Sequence, residues 1–259
     1  MRDDFLDAVS AVAAEVGAMA HASWRGVFKQ WQKGDASPVC EIDLAADALL
    51  RERLMALDSE AGWLSEETAD DAHRLNCARV WVVDPIDGTR DYVRGREGWA
   101  VSIALVEGGR PLIGVLDAPA RGEHWRAQAG KGATLNGVQI HASDRSELAG
   151  ARVPADVLTR VDADLVTVKK PNSIALRMAM VANGEADLLA SIRWGNEWDI
   201  AAAALIAKEA GAVVTDALGR PLRYNSTKGE AFGVLATAPD IHAAAVARLF
   251  DRAVTAVKR

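Results

Sequence analysis

The sequence predicts a layered fold of α and β elements. An antiparallel sheet carries two helices in the first half, and strands alternate with helices in the second. Three patterns lead there. Apolar residues near the start recur at spacings of three and four, short apolar runs bounded by turn residues fill the middle, and after about Ser143 strand-like and helix-like segments alternate.

In chain order, Phe5, Val9, Val12, Val16 and Met19 make one apolar helical face. Lys33 to Ser37, with Pro38, is a polar break. A second helix is expected over residues 43–57, with Leu44, Ala48, Leu50 and Leu54 inside. Strands are expected at 80–83, 100–106, 112–116 and 123–127. Glu107-Gly108-Gly109-Arg110 and Asn136-Gly137 are hairpin signals. Further on, 165–168 reads as a strand, 173–182 as a helix with Gly184 beyond its end, and 186–190 as a strand. Residues 199–210 are Ala- and Leu-rich and end at Gly211, the favoured position just past a helix. Strands at 212–215 and 233–237 and a helix from Pro239 complete the pattern. With no flexible linker, residues 1–143 and 144–259 are expected to form two halves of one body with a cleft between them.

The chain has 259 residues, of which 50% are hydrophobic and 25% charged, enough for a sizeable core. A net charge of −6 disfavours broad binding to nucleic acid or to an anionic membrane. Cys40 and Cys77 show neither metal-type spacing nor a disulfide framework, as expected in a reducing compartment. Met1-Arg2-Asp3-Asp4-Phe5 carries acids where a signal peptide needs positive charge, and no run of 18 apolar residues occurs. A cytoplasmic protein without membrane partners is the expectation.

Asp84-Pro85-Ile86-Asp87-Gly88-Thr89 follows the apolar run Val80-Trp81-Val82-Val83. Two carboxylates three apart at a strand end suit a hard cation such as Mg²⁺, and Gly88 lets the backbone approach a ligand. The same residues also suit a tight surface turn. Glu66, in Trp63-Leu64-Ser65-Glu66-Glu67, and Asp199, after Trp198, likewise abut a strand end and a helix start. Alone, Glu66 reads as a solvated turn and Asp199 as a helix cap. The five histidines form no ligand pair, and no Gly-x-Ser-x-Gly elbow or P-loop occurs. Gly130-Lys131-Gly132 reads as an ordinary turn.

Residues 81–89 resemble the first signature of the inositol monophosphatase superfamily. Trp198-Asp199-Ile200-Ala201-Ala202, running on to Glu209-Ala210-Gly211, resembles the second. Ser65-Glu66-Glu67 and Ser37-Pro38-Val39 with Asp43 resemble its upstream elements, so the likeness covers nearly the whole chain. It implies α-β-α-β-α layers and a Mg²⁺-dependent phosphomonoesterase that uses two or three ions. On that likeness Glu66, Asp84, Asp87 and Asp199, with the Ile86 carbonyl, hold the metal. The Gly88 and Thr89 amides bind phosphate. Asp43, Thr89 and Glu66 form the catalytic set, with Thr89 and Asp43 orienting and deprotonating the attacking water. Lithium inhibition and a homodimer are also implied. One departure is Cys40, where the family commonly has threonine; it reads as a packing residue rather than a nucleophile.

Two subfamilies compete for the substrate. Inositol monophosphatases usually carry a glutamate about seven residues before the second-motif aspartate, where this chain has Ile192. Arg90-Asp91-Tyr92 resembles the Lys-Glu-Phe of bacterial 3′(2′),5′-bisphosphate nucleotidases more than the Thr-Asn-Phe of inositol phosphatases. The second phosphate of such a nucleotide needs cations, for which Lys169, Lys170 and Arg193 are candidates, and Trp194 offers a face for adenine. Inositol 1-phosphate is the alternative substrate, followed by histidinol phosphate and fructose 1,6-bisphosphate. The non-enzymatic alternative is a binding partner in transcription or ribosome assembly.

Overall fold

The structure, a computed structural model, describes residues 3–33 and 37–258, so the expected polar break lies mostly outside it. Helix α1 (Asp3–Ser23) packs beside α2 (Glu41–Leu57). By length and composition α1 could cross a membrane. Instead Val9, Ala13 and Val16 are buried against α2 and the sheet beneath. Between the two helices, β1 (Gln30–Lys33) and β2 (Ser37–Cys40) form an antiparallel pair that the apolar pattern does not signal.

The inner face of α2 differs from the expected one. Leu50 and Leu54 are buried, but Leu44 is 43% exposed and Ala48 lies at the surface. Asp43, Ala46 and Asp47 turn inward instead. Asp47 accepts hydrogen bonds from the Ser65 and Thr68 hydroxyls. Asp43 accepts from the Cys40 N–H and the Thr89 hydroxyl. Two satisfied buried carboxylates therefore set the rotation of the helix, and hydrophobic periodicity alone misplaces it.

Seven strands follow: β3 (Gly62–Ser65), β4 (Arg79–Asp87), β5 (Ala100–Glu107), β6 (Arg110–Ala118), β7 (Glu123–Gln128), β8 (Ala133–Leu135) and β9 (Val138–Gln139). They lie in sequence order, β3–β4 parallel and the others antiparallel. Both expected hairpins close through two residues of positive φ: Gly108 (56°) and Gly109 (75°), then Asn136 (51°) and Gly137 (79°). The parallel pairing brings Ser65 level with Val83. The chain leaving β3 at Glu66 thus emerges beside Asp84.

The other face of the sheet is covered by α4 (Ile174–Ala182) and α5 (Ala201–Glu209). Small residues allow close contact there: a Cβ on Gly114 of β6 would lie 2.5 Å from the Ala202 carbonyl oxygen. Beyond these helices lies a second sheet of β12 (Leu188–Asn196), β14 (Glu230–Thr237) and β13 (Val213–Thr215), in that order and antiparallel. Helix α6 (His242–Val257) closes the far side, giving α-β-α-β-α layers. Strand β12 runs six residues beyond the expected 186–190, to Asn196, and α5 starts at Ala201, leaving Asp199 in the turn before it. A short parallel pair, β10 (Arg152–Pro154) with β11 (Val166–Val168), flanks this part.

Asp187, 1% exposed, ties β10 to the start of β12. It accepts from the Arg152 backbone N–H (2.8 Å), from Nε (3.0 Å) and a terminal guanidinium nitrogen (2.7 Å) of Arg152, and from the Ser143 hydroxyl (2.6 Å). Burial opposes its charge, but the hydrogen bonds outweigh burial and hold the carboxyl at about 2. A folded-state value below the unfolded one stabilises the fold above about pH 4 and loses that contribution as pH falls toward 2. Asp187→Asn is expected to cost about 2 kcal/mol in urea unfolding at pH 7. The gap between variant and parent should close in acid; a gap independent of pH would show that the charge is not what matters.

Candidate active site

The irregular end of β4 builds the site. Its pairing with β5 slips between Asp84 and Asp87, and the Ile86 N–H turns back to the Asp84 carboxylate at 3.0 Å. Pro85 contributes a fixed φ and no competing N–H. Gly88 then takes φ +96°, and a Cβ there would lie 2.5 Å from the Gly98 carbonyl and 2.9 Å from the Ser173 nitrogen. Glycine is thus required by the protein's own backbone packing, where the sequence suggested approach to a ligand. Helix α3 (Thr89–Val93) starts next, and its first residues keep N–H groups that the helix does not use.

Asp84, Asp87 and Asp199 bring carboxylate oxygens within 4.8 Å of one another. They line a cleft of about 290 Å³ with Glu66, Ile86, Gly88 and Thr89. Asp84 is 1% and Asp87 6% exposed. Burial, then the charges of Glu66, Asp87 and Asp199, push the Asp84 carboxyl well above the usual carboxylate range. Burial and the charges of Asp87 and Glu66 do the same to Asp199. Burial also raises Asp87, but less freely, because it accepts from the Ser173 hydroxyl (2.6 Å) and the Ala175 N–H (2.8 Å) at the start of α4. Crowded carboxylates, two buried and two half-buried, with a carbonyl beside them, form an all-oxygen donor set that fits a hard divalent cation. The Ile86 carbonyl lies 3.0 Å from the Thr89 hydroxyl, whose single proton can face either it or Asp43, and it keeps a second lone pair.

Asp43 stands behind Thr89 rather than on the cleft wall, 2% exposed, with its carboxylate 3.2 Å from the Thr89 hydroxyl. Burial raises it to about 6, against hydrogen bonds from Cys40 and Thr89 that favour its charge. Cys40 caps α2 from an extended backbone, and its N–H donates to Asp43 at 2.7 Å. Burial and then the Asp43 charge push the Cys40 thiol up to about 12, so it remains a protonated packing and capping group.

Of the three cations expected near the site, only Arg193 lines the acidic cleft, and its charge acts on Asp199. Lys169 and Lys170 line a neighbouring cavity, and Lys170 is paired with Asp156. Within Arg90-Asp91-Tyr92, Arg90 lines the cleft. Tyr92 is fully buried, donating to the Ala20 carbonyl at 2.8 Å. Asp91 accepts from the Asn172 N–H at 3.0 Å. Ile192 packs into apolar clusters. Sequence reading missed Ser173, which orients Asp87, Arg177, which enters the cleft from α4, and Glu197. Fully buried Glu197 accepts from the Asn225 and Ser226 N–H groups and braces the turn that presents Asp199. A lone arginine in an otherwise apolar helix was the available signal for Arg177.

The chain matches the inositol monophosphatase family profile over residues 1–255. It belongs to the inositol monophosphatase family. It is 32% identical to inositol monophosphatase 2 of Solanum lycopersicum over 84% of this chain and 89% of that protein. It is 33% identical to the 3′(2′),5′-bisphosphate nucleotidase CysQ of Escherichia coli K12 over 74% and 81%. An inositol monophosphatase structure from Thermotoga maritima superposes with a TM-score of 0.85 at 28% identity, covering 97% of this chain and 98% of that one. The layered fold is that of the family, and the chain is a Mg²⁺-dependent phosphatase. Relatives of different specificity match equally well, so specificity has to be sought in the cleft.

Elevated carboxylates make the metal-free fold lose stability as pH rises through their folded-state values, and the loss is absent below the ordinary carboxylate range. Asp84→Asn keeps an acceptor for the Ile86 N–H and removes one charge. In calorimetry with chelator at neutral pH its Tm should rise by a few degrees, roughly 1 kcal/mol of relief, and the stabilisation by added Mg²⁺ should disappear. A lower metal-free Tm would contradict the repulsion described here.

Proposed function

We propose that the chain is a 3′(2′),5′-bisphosphate nucleotidase, converting adenosine 3′,5′-bisphosphate to AMP and phosphate. The observation that carries this is the wall of the cleft beyond its acids, which presents Arg90, Arg177 and Arg193. Three guanidinium groups suit a substrate with a second phosphate better than a neutral polyol ring. The position of the ring-binding glutamate is apolar Ile192, turned away into packing. Trp194, 50% exposed beside Arg193 and edge-on to Phe232 at 5.4 Å, offers a face to a base.

In this reading Glu66, Asp84, Asp87, Asp199 and the Ile86 carbonyl hold Mg²⁺. When bound, it acidifies water and neutralises phosphoryl charge. The side chains position the rest. Thr89, its own proton directed at Asp43, accepts the proton of the attacking water; Asp43, at about 6, is matched to proton transfer near neutrality. The Gly88 and Thr89 amides receive the phosphoryl oxygens. Water adds to phosphorus as its proton passes toward Asp43, the ester P–O bond breaks, and the ribose oxygen takes a proton from solvent water as it leaves. The family resemblance further supports a cytoplasmic homodimer with residues 1–143 and 144–259 on either side of the cleft. The likeness to the tomato enzyme supports inositol monophosphate hydrolysis as the second reading.

Phosphate release from adenosine 3′,5′-bisphosphate and from inositol 1-phosphate, compared by kcat/KM, decides between the two; preference for the inositol ester would reject the nucleotidase. Arg193→Ala should lower kcat/KM for the bisphosphate about tenfold or more and spare a simple monoester. Equal losses on both substrates would remove Arg193 from recognition. Asp84→Asn should abolish turnover while circular dichroism stays unchanged, and an active folded variant would remove Asp84 from the metal set.

A further inference from the structure

A second cavity, of about 530 Å³, adjoins the acidic cleft, and Asn172 lines both. Its wall carries Arg25, Arg94, Arg96, Arg121, Lys169 and Lys170 against only three acids. In a chain of net charge −6 such a concentration of cations needs a cause. Internal pairing accounts for only part of it. Lys170 meets Asp156, Arg121 meets Glu123, and Arg96 lies a loose 3.9 Å from Asp91. Among the described residues, Arg94 and Lys169 form no ion pair.

Some of the cations are held in place. Arg25 adopts φ +64°, a costly backbone for a residue with a side chain. Its guanidinium lies 4.0 Å over the Trp24 ring and donates to the Gly95 carbonyl at 3.0 Å. That carbonyl belongs to the loop carrying Arg94 and Arg96. Among the described residues Arg25 meets no acid, so its guanidinium is ordered at the cavity wall without being neutralised. We infer that this cavity binds a small, multiply charged phosphoanion, outside the acidic cleft and independently of the substrate assignment above.

The wall between the cavities also gives the anion a route to the reaction. The Asn172 N–H is fixed by Asp91 (3.0 Å) and the Ser173 N–H by the Gly98 carbonyl (2.9 Å), and the Ser173 hydroxyl holds Asp87. An anion drawing Arg94 and Lys169 together would sit across the two segments that orient Ser173, and through it Asp87.

The test uses the whole protein, free of divalent metal, titrated calorimetrically with inorganic tripolyphosphate. The acidic cleft also presents Arg90, Arg177 and Arg193, so Arg193→Ala separates binding there from binding in the second cavity. Wild-type and Arg193→Ala should bind alike, with affinity falling steeply in salt. Arg94→Ser with Lys169→Ser, both exposed positions, should weaken binding about tenfold or more with unchanged Tm. Absence of saturable binding, or equal binding by the double variant, overturns the proposal. So does loss of binding in Arg193→Ala alone. Turnover with Mg²⁺ then identifies the source of the anion. A raised KM for adenosine 3′,5′-bisphosphate but not for a monoester in the double variant supports a phosphate carried by the substrate. Unchanged KM values alongside lost tripolyphosphate binding support a separate ligand.

Discussion

Mutual repulsion among buried carboxylates is the constraint around which this molecule is arranged. Two unit charges 4.8 Å apart repel by roughly 3 kcal/mol at an effective dielectric of about 20, and Asp84, Asp87 and Asp199 are gathered within that distance. A flexible loop would let them part. The fold instead fastens each to a rigid element. Asp84 and Asp87 end β4, which is paired on both sides, Asp87 is also held by the first turn of α4, and Asp199 stands on a turn braced by buried Glu197. The architecture thus confines negative charge that the metal-free protein would otherwise disperse.

The same requirement explains where the fold departs from simple hydrophobic order. Helix α2 turns two carboxylates inward and leaves Leu44 in solvent, because Asp43 and Asp47 each have hydrogen-bonding partners waiting at the end of β3 and the start of α3. Buried polar groups so satisfied cost little, and they link the N-terminal helical layer to the side of the sheet that carries the acidic cleft. Cys40 belongs to this link as a cap, and its high thiol pKa keeps it out of nucleophilic chemistry.

Charge is distributed unevenly between two adjoining cavities. Acids predominate in one and cations in the next, with the segment from Pro171 to Ser173 between them. Arg177 and Arg193 approach the acidic side, so carboxylate oxygens and guanidinium groups face one cleft together. Ordering of that segment by Asp91 and Gly98 matters because Ser173 belongs to it, and Ser173 sets the orientation of Asp87.

Local chemistry made much of this legible from sequence. Helical periodicity marked α1, the Gly-Gly and Asn-Gly pairs marked their hairpins, and the Asp-Pro-Ile-Asp-Gly-Thr string after an apolar strand marked the site, because each depends on residues within a few positions. Tertiary structure decided what lies far apart in the chain. It set the parallel pairing that brings Glu66 beside Asp84, the reach of Ser173 to Asp87 across 86 residues, and the rotation of α2. It also placed Arg193 on the acidic cleft and Lys169 and Lys170 in the cavity beyond. Sequence by itself determined which residues could bind metal and phosphate; packing between layers determined which of them meet, because hydrogen bonds and like-charge repulsion act through space and not along the chain.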